Sequence, residues 1–266
     1  MGKILDFFFK KNQDKDSGRS LEELLRSVRP HTKPALSLCI AGERQPSHLR
    51  GDPRLPASAK WPSREGRPLT HLATLDLSEI AKANTISWLP DTGKLLFFYD
   101  IDEQPWGFDP KDRDGWSVLH VPEPSADQAA DPVSRESALP EIPVRFQRVE
   151  SLPSLARLRD LSVAFTDVEE ETYEEGLFEL REDELGHQMG GFPSPIQNDD
   201  MELQCQLASN GVNLGDGAAH LSETAEQHAP GAKNWRLLLQ LCDHDELGVV
   251  WGDMGSLYFW VEEAKS

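Results

Sequence analysis

Apolar residues at helical spacing predict one amphipathic helix near the start of the chain. Leu21, Leu24 and Val28 recur every three or four positions, which places them on one helical face. Ser20 and Glu23 stand three residues apart at its beginning, the spacing of a capping box in which each side chain bonds the other's free backbone N–H. The pattern therefore predicts a helix that begins after Ser20 and packs through its leucines.

Strand patterns follow in both halves of the chain. Residues 69–77 alternate in side-chain character, which predicts a strand, and residues 94–99 (KLLFFY) form a short apolar run typical of a strand buried on both faces. Residues 235–241 alternate again. Residues 248–251 and 256–261 flank a glycine turn, which predicts that these two segments pair as a hairpin.

Polar stretches without either period divide the chain. Residues 1–19 end in a polar run and are predicted to form a flexible N-terminal segment. Residues 122–143 are rich in proline, serine and acidic residues, which is typical of a connector, and residues 208–230 have the composition of a loop. We therefore expect a first half at residues 20–121 and a second half at residues 144–266.

The two halves present similar features in the same order. Each has a glycine–proline loop (Gly51-x-Pro53 and Gly191-x-Pro193), then a strand ending near an aspartate, then a glycine turn into an aromatic strand. A small sheet cannot bury its apolar face alone, so we expect two copies facing each other. The predicted fold class is α+β, β-dominated, with two pseudo-repeated sheet units and peripheral helices. The boundary between the halves, here called the seam, is the expected place for a ligand.

The charge balance narrows the classes of partner. The chain has 46 acidic against 27 basic residues and a net charge of -19, a field that repels phosphate backbones and argues against nucleic-acid binding. It favours a basic protein partner, unless the charge serves solubility alone. Residues 167–184 hold ten acids and one base in a predicted helix that we expect to break at Gly176. The candidate partner-binding residues there are Glu169, Glu170, Glu171, Glu174, Glu175 and Glu179.

Cysteine usage and hydropathy bear on the compartment. Cys39, Cys205 and Cys242 are odd in number and form no C-x-x-C pair, which argues against a disulfide framework and favours free thiols in the cytoplasm. No stretch approaches the roughly 20 apolar residues of a membrane helix. The Phe7-Phe8-Phe9 run predicts a short packed helix. A further interpretation is that this run is the segment through which a scaffold protein docks.

Signatures of catalysis are mostly missing from the sequence. It contains no G-x-S-x-G, H-E-x-x-H, P-loop or G-x-G-x-x-G motif, so an enzyme is not indicated and no resident cofactor is predicted. Aspartates at strand ends suggest an alternative function, the binding of a divalent cation by their carboxylates. Aspartate is also common in turns simply because its side chain bonds nearby backbone groups. The candidate metal ligands are Asp199, Asp243, Asp245 and Asp253, with Asp200, His187 or His244 beside them. The seam candidates are His187, Gln197, Gln240 and Trp251.

Three blocks of the second half resemble a known family. They are residues 187–197 (HQMGGFPSPIQ), 237–245 (LLLQLCDHD) and 251–259 (WGDMGSLYF), and the first-half run from Gly51 to Leu75 is similar as well. Together they resemble the YwqG-like family, a bacterial domain of unknown function, over residues 45–263. Asp52 stands where members usually have glycine and Thr74 where they have glutamine, which leaves a function of the first loop in doubt.

The resemblance implies an α+β fold with curved sheets and supplies no enzyme activity. Some relatives are encoded beside bacterial toxins and have been proposed as immunity proteins. Combined with the acidity, this predicts a non-enzymatic binding protein, an immunity protein that neutralises a basic toxin. The alternative is a divalent-metal-binding module or metal-dependent enzyme that uses the aspartate cluster.

Overall fold

The computed structural model describes most of the chain. The described residues are 18–56, 59–122, 127–129, 140–182, 186–195, 197–244, 247–252 and 255–263. Residues 1–17 of the predicted flexible segment, with Phe7-Phe8-Phe9, lie outside them, as do most of the predicted connector, Asp245 and Asp253.

A mixed α+β architecture emerges, with strands predominant. The strands are β1 (Lys33–Ile40), β2 (His48–Leu49), β3 (Arg54–Pro56), β4 (Ser63–Arg64), β5 (Arg67–Pro68), β6 (Thr70–Asp76), β7 (Lys94–Tyr99), β8 (Trp116–Val121), β9 (Asp127–Ala129), β10 (Ile142–Ser151), β11 (Gln188–Gly190), β12 (Trp235–Cys242) and β13 (Ser256–Glu262). The helices are α1 (Leu21–Val28), α2 (Leu77–Lys82), α3 (Leu155–Asp160), α4 (Asp167–Glu182), α5 (Met201–Ser209) and α6 (Glu223–His228).

One large antiparallel sheet organises these elements. Its nine strands follow the order β13-β12-β11-β1-β10-β2-β6-β7-β8, so β1 and β10 lie in the middle and a hairpin lies towards each end. The sheet curls until the end hairpins meet: the ring centroids of Phe97 on β7 and Phe259 on β13 are 5.1 Å apart. The enclosed face holds the main core, where each buried leucine or phenylalanine contributes about 1.5–3 kcal/mol.

The apolar run in β7 is explained by burial on both faces. Leu95, Phe97 and Tyr99 point into the main core, whereas Leu96 and Phe98 belong to a smaller cluster on the other side of the sheet. That smaller cluster lies beneath the loop that carries Trp61. The sequence-based prediction of a strand buried on both faces is therefore confirmed.

A helical layer lies beside the sheet. Helices α1, α3 and α4 pack together through Leu24, Val28, Leu158, Tyr173 and Leu177. The predicted capping box at the start of α1 is present, with Ser20 and Glu23 bonded in both directions. Among the described residues, no helix combines the length and apolar character needed to cross a membrane.

The structure differs from the sequence-based predictions for residues 248–251 and 208–230. Residues 248–251 form a turn with a single bridge between His244 and Val249, and β13 pairs with β12 instead. Residues 208–230 contain α6 and short 3-10 turns that cover Leu207 and Val212, so this stretch is more than a loop. In both places tertiary contacts decide the structure, and turn-like composition alone does not reveal them.

The two end hairpins carry a bulge at corresponding positions. In the β6–β7 pair the register shifts just before Ala73, which lies opposite Phe97. In the β12–β13 pair it shifts just before Leu239, which lies opposite Phe259. A bulge bends a strand and increases its twist, so both end hairpins depart from a flat sheet at this point.

A side chain accepts a backbone hydrogen bond at the end of the first strand of each end hairpin. Ser47 Oγ accepts from the backbone N–H of Asp76 at 2.9 Å, and His187 Nδ1 accepts from the backbone N–H of Cys242 at 3.1 Å. Asp76 and Cys242 are the last residues of β6 and β12. A hydroxyl and an imidazole thus satisfy the same kind of backbone donor at the ends of two strands.

Gly191 offers a test of packing in the central sheet. Its backbone is left-handed (φ +71), and an added Cβ would lie 2.6 Å from Ser151 Cβ and 2.9 Å from Ala35 Cβ. We expect Gly191→Ala to cost about 2–5 kcal/mol of unfolding free energy, the sum of backbone strain and overpacking. Urea denaturation followed by circular dichroism measures this loss.

Gly66 supplies the matched control. It is also left-handed (φ +79), with nothing within 4 Å of an added Cβ. Gly66→Ala is expected to cost about 1–2 kcal/mol, because only the backbone term remains. Equal losses in the two variants would contradict close packing around Gly191.

Candidate functional site

Helix α4 presents an acidic stripe with an apolar residue at its end. Glu171, Glu174, Glu175 and Phe178 are exposed, and their spacing places them on one face of the helix. Phe178 is 62% exposed, a high value for a large apolar side chain. We call these four residues the acidic stripe. Carboxylates around an accessible ring are the features expected of a contact surface for a basic protein.

Two of the predicted partner-binding glutamates have ionic partners within the protein. Glu169 is buried, and its carboxylate accepts from Arg19 Nε at 2.8 Å and from the backbone N–H of Thr166 at 2.9 Å. The bond from Arg19, followed by the backbone bonds, holds the pKa of Glu169 far below its usual range. Glu170 pairs with Arg159 Nη2 at 2.6 Å. Glu179 is half-buried, so the exposed charge is concentrated in the acidic stripe.

The buried face of α4 fixes the orientation of the stripe. Tyr173 is fully buried and its hydroxyl donates to the carbonyl of Pro153 at 2.9 Å. At Gly176 an added Cβ would lie 2.5 Å from Leu21 Cδ1, so this glycine permits close contact with α1. The predicted break at Gly176 is wrong, because the helix runs without interruption from Asp167 to Glu182. Packing against α1 offsets the low helix propensity of glycine.

The seam candidates His187 and Gln240 lie together beside Cys242. Gln240 is buried, accepts from Ser194 N at 2.9 Å and donates to the Gly186 carbonyl at 2.9 Å. Because Nδ1 of His187 accepts from Cys242, its ring proton lies on Nε2. Burial, and secondarily the nearby His244, lower the pKa of His187 to about 4. Both side chains therefore satisfy backbone groups in neutral form.

The two remaining seam candidates are placed differently from each other. Trp251 is buried and its ring packs edge-on against Tyr99, with centroids 5.7 Å apart, so it joins the second half to the first. Gln197 is exposed. The structure thus brings together His187 and Gln240, places Trp251 in the main core and leaves Gln197 at the surface.

The predicted metal ligands are only partly described. Asp199 accepts from Ser154 Oγ at 2.6 Å and from Arg157 Nε at 2.7 Å, so an arginine already neutralises it. Asp243 follows β12, whereas Asp245 and Asp253 lie outside the described residues. Within the described part of the chain, no three histidine, cysteine or acidic residues are grouped to hold a metal ion. The divalent-cation site stays a prediction.

Sequence reasoning did not single out Phe178 as an exposed apolar residue of this helix. Its signal was present, because it follows Glu171, Glu174 and Glu175 at seven, four and three positions. Glu169 had a local signal, since Thr166 and Glu169 have the spacing of a capping box and both bonds of that box are present. Its bond from Arg19, 150 residues away in sequence, had none.

Replacing Glu169 tests its structural role. We expect Glu169→Gln to lower the melting temperature at pH 7, because the ionised carboxylate bonds Arg19 and the start of α4. The native pKa lies below the unfolded value of about 4.3, so this stabilisation is full above that pH and is lost as pH falls through the native pKa. The difference in melting temperature between Glu169→Gln and the unaltered protein should therefore become smaller below about pH 4.

Glu174→Gln is the control on the same helix. Glu174 is exposed, so the melting temperature of Glu174→Gln should match that of the unaltered protein at pH 7 and at pH 3.5. Scanning calorimetry at pH 7 and pH 3.5 distinguishes the two variants. An equal effect of both would contradict the assignment of Glu169 to the fold.

Comparison with known proteins places the chain in a family. A model of a domain of unknown function, DUF1963, matches residues 47–265, which include every strand of the large sheet except β1. No curated protein matches the chain. Since the match covers most of the sequence, the protein belongs to the DUF1963 family of domains of unknown function.

Proposed function

We propose that this protein is a non-enzymatic binding protein that docks a basic protein partner on the acidic stripe of α4. The observation that carries the proposal is the exposure of Glu171, Glu174 and Glu175 beside Phe178 on a helix whose opposite face is buried. The net charge of -19 adds a long-range negative field to that of the stripe's carboxylates. Such a field steers a basic partner and accelerates its association.

The stripe combines the two contributions that a specific interface needs. Carboxylates select the sign of the partner's charge and set the rate of encounter, whereas an aromatic ring supplies most of the binding energy when it is covered. The ring of Phe178 is accessible for such a contact. Tyr173 and Gly176 hold the helix against its neighbours, so little ordering is needed on binding.

A toxin is the basic partner that this proposal favours. Within the DUF1963 family, we propose that the chain is YwqG-like and cytoplasmic, and that it acts as an immunity protein. The motifs at residues 187–197 and 251–259 support the first statement, and the free cysteines are consistent with the second. An acidic protein can neutralise a basic toxin by covering its charged surface, a role that requires no catalytic group.

Charge reversal on the stripe tests the docking surface. We expect Glu171→Lys/Glu174→Lys/Glu175→Lys to weaken binding of the purified product of the neighbouring gene at least about tenfold, because three favourable charges become repulsive. Phe178→Ala should weaken it by a similar factor through loss of the covered ring. Surface plasmon resonance at 50 and 300 mM salt measures both effects, and growth of cells producing the toxin reports protection.

The control reverses three exposed acids elsewhere. Glu43, Asp91 and Glu226 are exposed and lie outside α4, and their replacement by lysine changes the net charge by the same amount. This variant should bind within about threefold of the unaltered protein, because only the long-range field changes. If the stripe variant binds and protects as well as the control variant, the docking proposal is wrong.

We also propose that the two halves are copies of one unit that have exchanged strands. Strand β1 of the first half lies between β10 and β11 of the second, and β10 lies between β1 and β2 of the first. The corresponding bulges in the end hairpins support this interpretation. So do the bonds by which Ser47 and His187 accept backbone N–H groups at the ends of β6 and β12.

Backbone contacts at the middle of the sheet support the same symmetry. The carbonyl of Ser47 accepts from Val144 N and that of His187 from Leu38 N, both at 3.0 Å. Val144 and Leu38 belong to β10 and β1, the two central strands. A two-fold axis that relates the halves would place the Ser47–Val144 contact on the His187–Leu38 contact.

Strand exchange makes each half dependent on its partner for folding. We expect fragments 1–135 and 136–266 to be unfolded separately, because β1 and β10 each lose both neighbouring strands when the halves are parted. Mixed and refolded together, they should recover the circular dichroism spectrum of the intact chain. A folded spectrum for either fragment alone would contradict the exchange.

A further inference from the structure

A basic pocket stands out in this acidic protein. It lies where β1 and β12 begin and has a volume of about 340 Å³. Its lining includes Lys33, Arg157, Glu202, Lys233, Trp235 and Arg236. Four positive charges thus meet in one cavity of a chain whose net charge is -19.

The two arginines of the pocket already have carboxylate partners. Arg157 Nη1 donates to Glu202 Oε1 at 2.9 Å while its Nε bonds Asp199, and Arg236 Nη2 lies 2.7 Å from Glu263. In the described part of the chain, no carboxylate pairs with Lys33 or Lys233. The four cations therefore face three carboxylates, which leaves one excess positive charge.

Lys33 is held over an aromatic ring next to a second cation. Its Nζ is 4.2 Å from the centroid of the Phe192 ring, and Arg157 Cζ is 5.0 Å from the same centroid, so two cations share one ring. Although Lys33 as a whole residue is exposed, desolvation of its ammonium group, and next the charge of Arg157, lower its pKa. An anion bound to this ammonium group would favour its charged form.

Trp235 gives the pocket a fixed flat wall. Its indole Nε1 donates to Gln206 Oε1 at 2.8 Å, which anchors the edge of the ring. Gln206 is buried on α5 and packs against Gly231, where an added Cβ would lie 2.4 Å from its Nε2. A ligand therefore meets charge from the lysines and an apolar surface from the indole.

We propose that this pocket binds a small ligand through its phosphate or carboxylate group, with the ammonium groups of Lys33 and Lys233 as the direct contacts. Arg157 forms a fixed part of the pocket wall, because Asp199 and Glu202 hold it in place and balance its charge. The indole of Trp235 covers the remainder of the ligand. This site is separate from the acidic stripe and does not depend on the docking proposal.

Calorimetric titration of the full chain tests the site with two probes, inorganic phosphate and succinate, at constant ionic strength in chloride. At least one probe should bind with one-to-one stoichiometry. Lys33→Met/Lys233→Met should weaken it about tenfold or more, because charge-assisted contacts are removed. Binding of phosphate alone identifies a phosphate site, and binding of succinate identifies a carboxylate site.

Matched variants separate loss of the site from loss of the fold. Lys82→Met removes an exposed cation on α2 and should leave binding unchanged. Lys33→Arg/Lys233→Arg keeps both charges and should retain binding within about threefold, whereas the methionine variant should keep the circular dichroism spectrum of the unaltered protein. The proposal is wrong if neither phosphate nor succinate binds in the presence of chloride. It is also wrong if the methionine variant binds a probe as tightly as the unaltered chain does.

Discussion

The antiparallel pairing of β1 with β10 is the interaction on which the rest of the structure depends. Eight residue pairs, from Lys33 opposite Ser151 to Ile40 opposite Val144, join strands that are more than a hundred residues apart in sequence. All other strands of the large sheet extend outwards from this pair. The sheet can then curl until Phe97 meets Phe259, and the enclosed core forms between its ends. Without the central pair the two hairpins would have no common support.

This sheet also positions the charged regions of the molecule. The connection after β10 leads directly into α3, which packs against α4 through Leu158, and the start of β1 brings Lys33 to the pocket. Acidic residues on α4 remain at the surface because Tyr173 and Leu177 occupy its buried face. Charge of one sign therefore dominates the exterior, while a small region of the other sign is concentrated where strands begin.

Local signals were sufficient for some elements and insufficient for others. The capping box of Ser20 and Glu23 and the apolar run in β7 depend on neighbours in sequence, and the structure agrees with both predictions. Strand β10 went unrecognised because its outward residues, such as Arg145 and Gln147, are polar and its partners lie about a hundred residues away. The hairpin predicted at residues 248–251 failed because β12 competes for β13.

The candidate site shows the same division. Composition located the acidic segment but did not separate Glu169 from the exposed Glu171, because the bond from Arg19 to Glu169 joins distant parts of the chain. The basic pocket had no sequence signal, because its lysines and arginines come from β1, α3 and the start of β12 and are diluted by an excess of acids. Side chains gathered from distant segments become visible only when the fold is known.

Helix α3 is shared by two parts of the molecule. Leu155 and Leu158 pack against the helix that carries the acidic residues, while Arg157, between them in sequence, lines the pocket. Because the helix has only six residues, one short element supports α4 on one side and completes the wall of a cavity on the other.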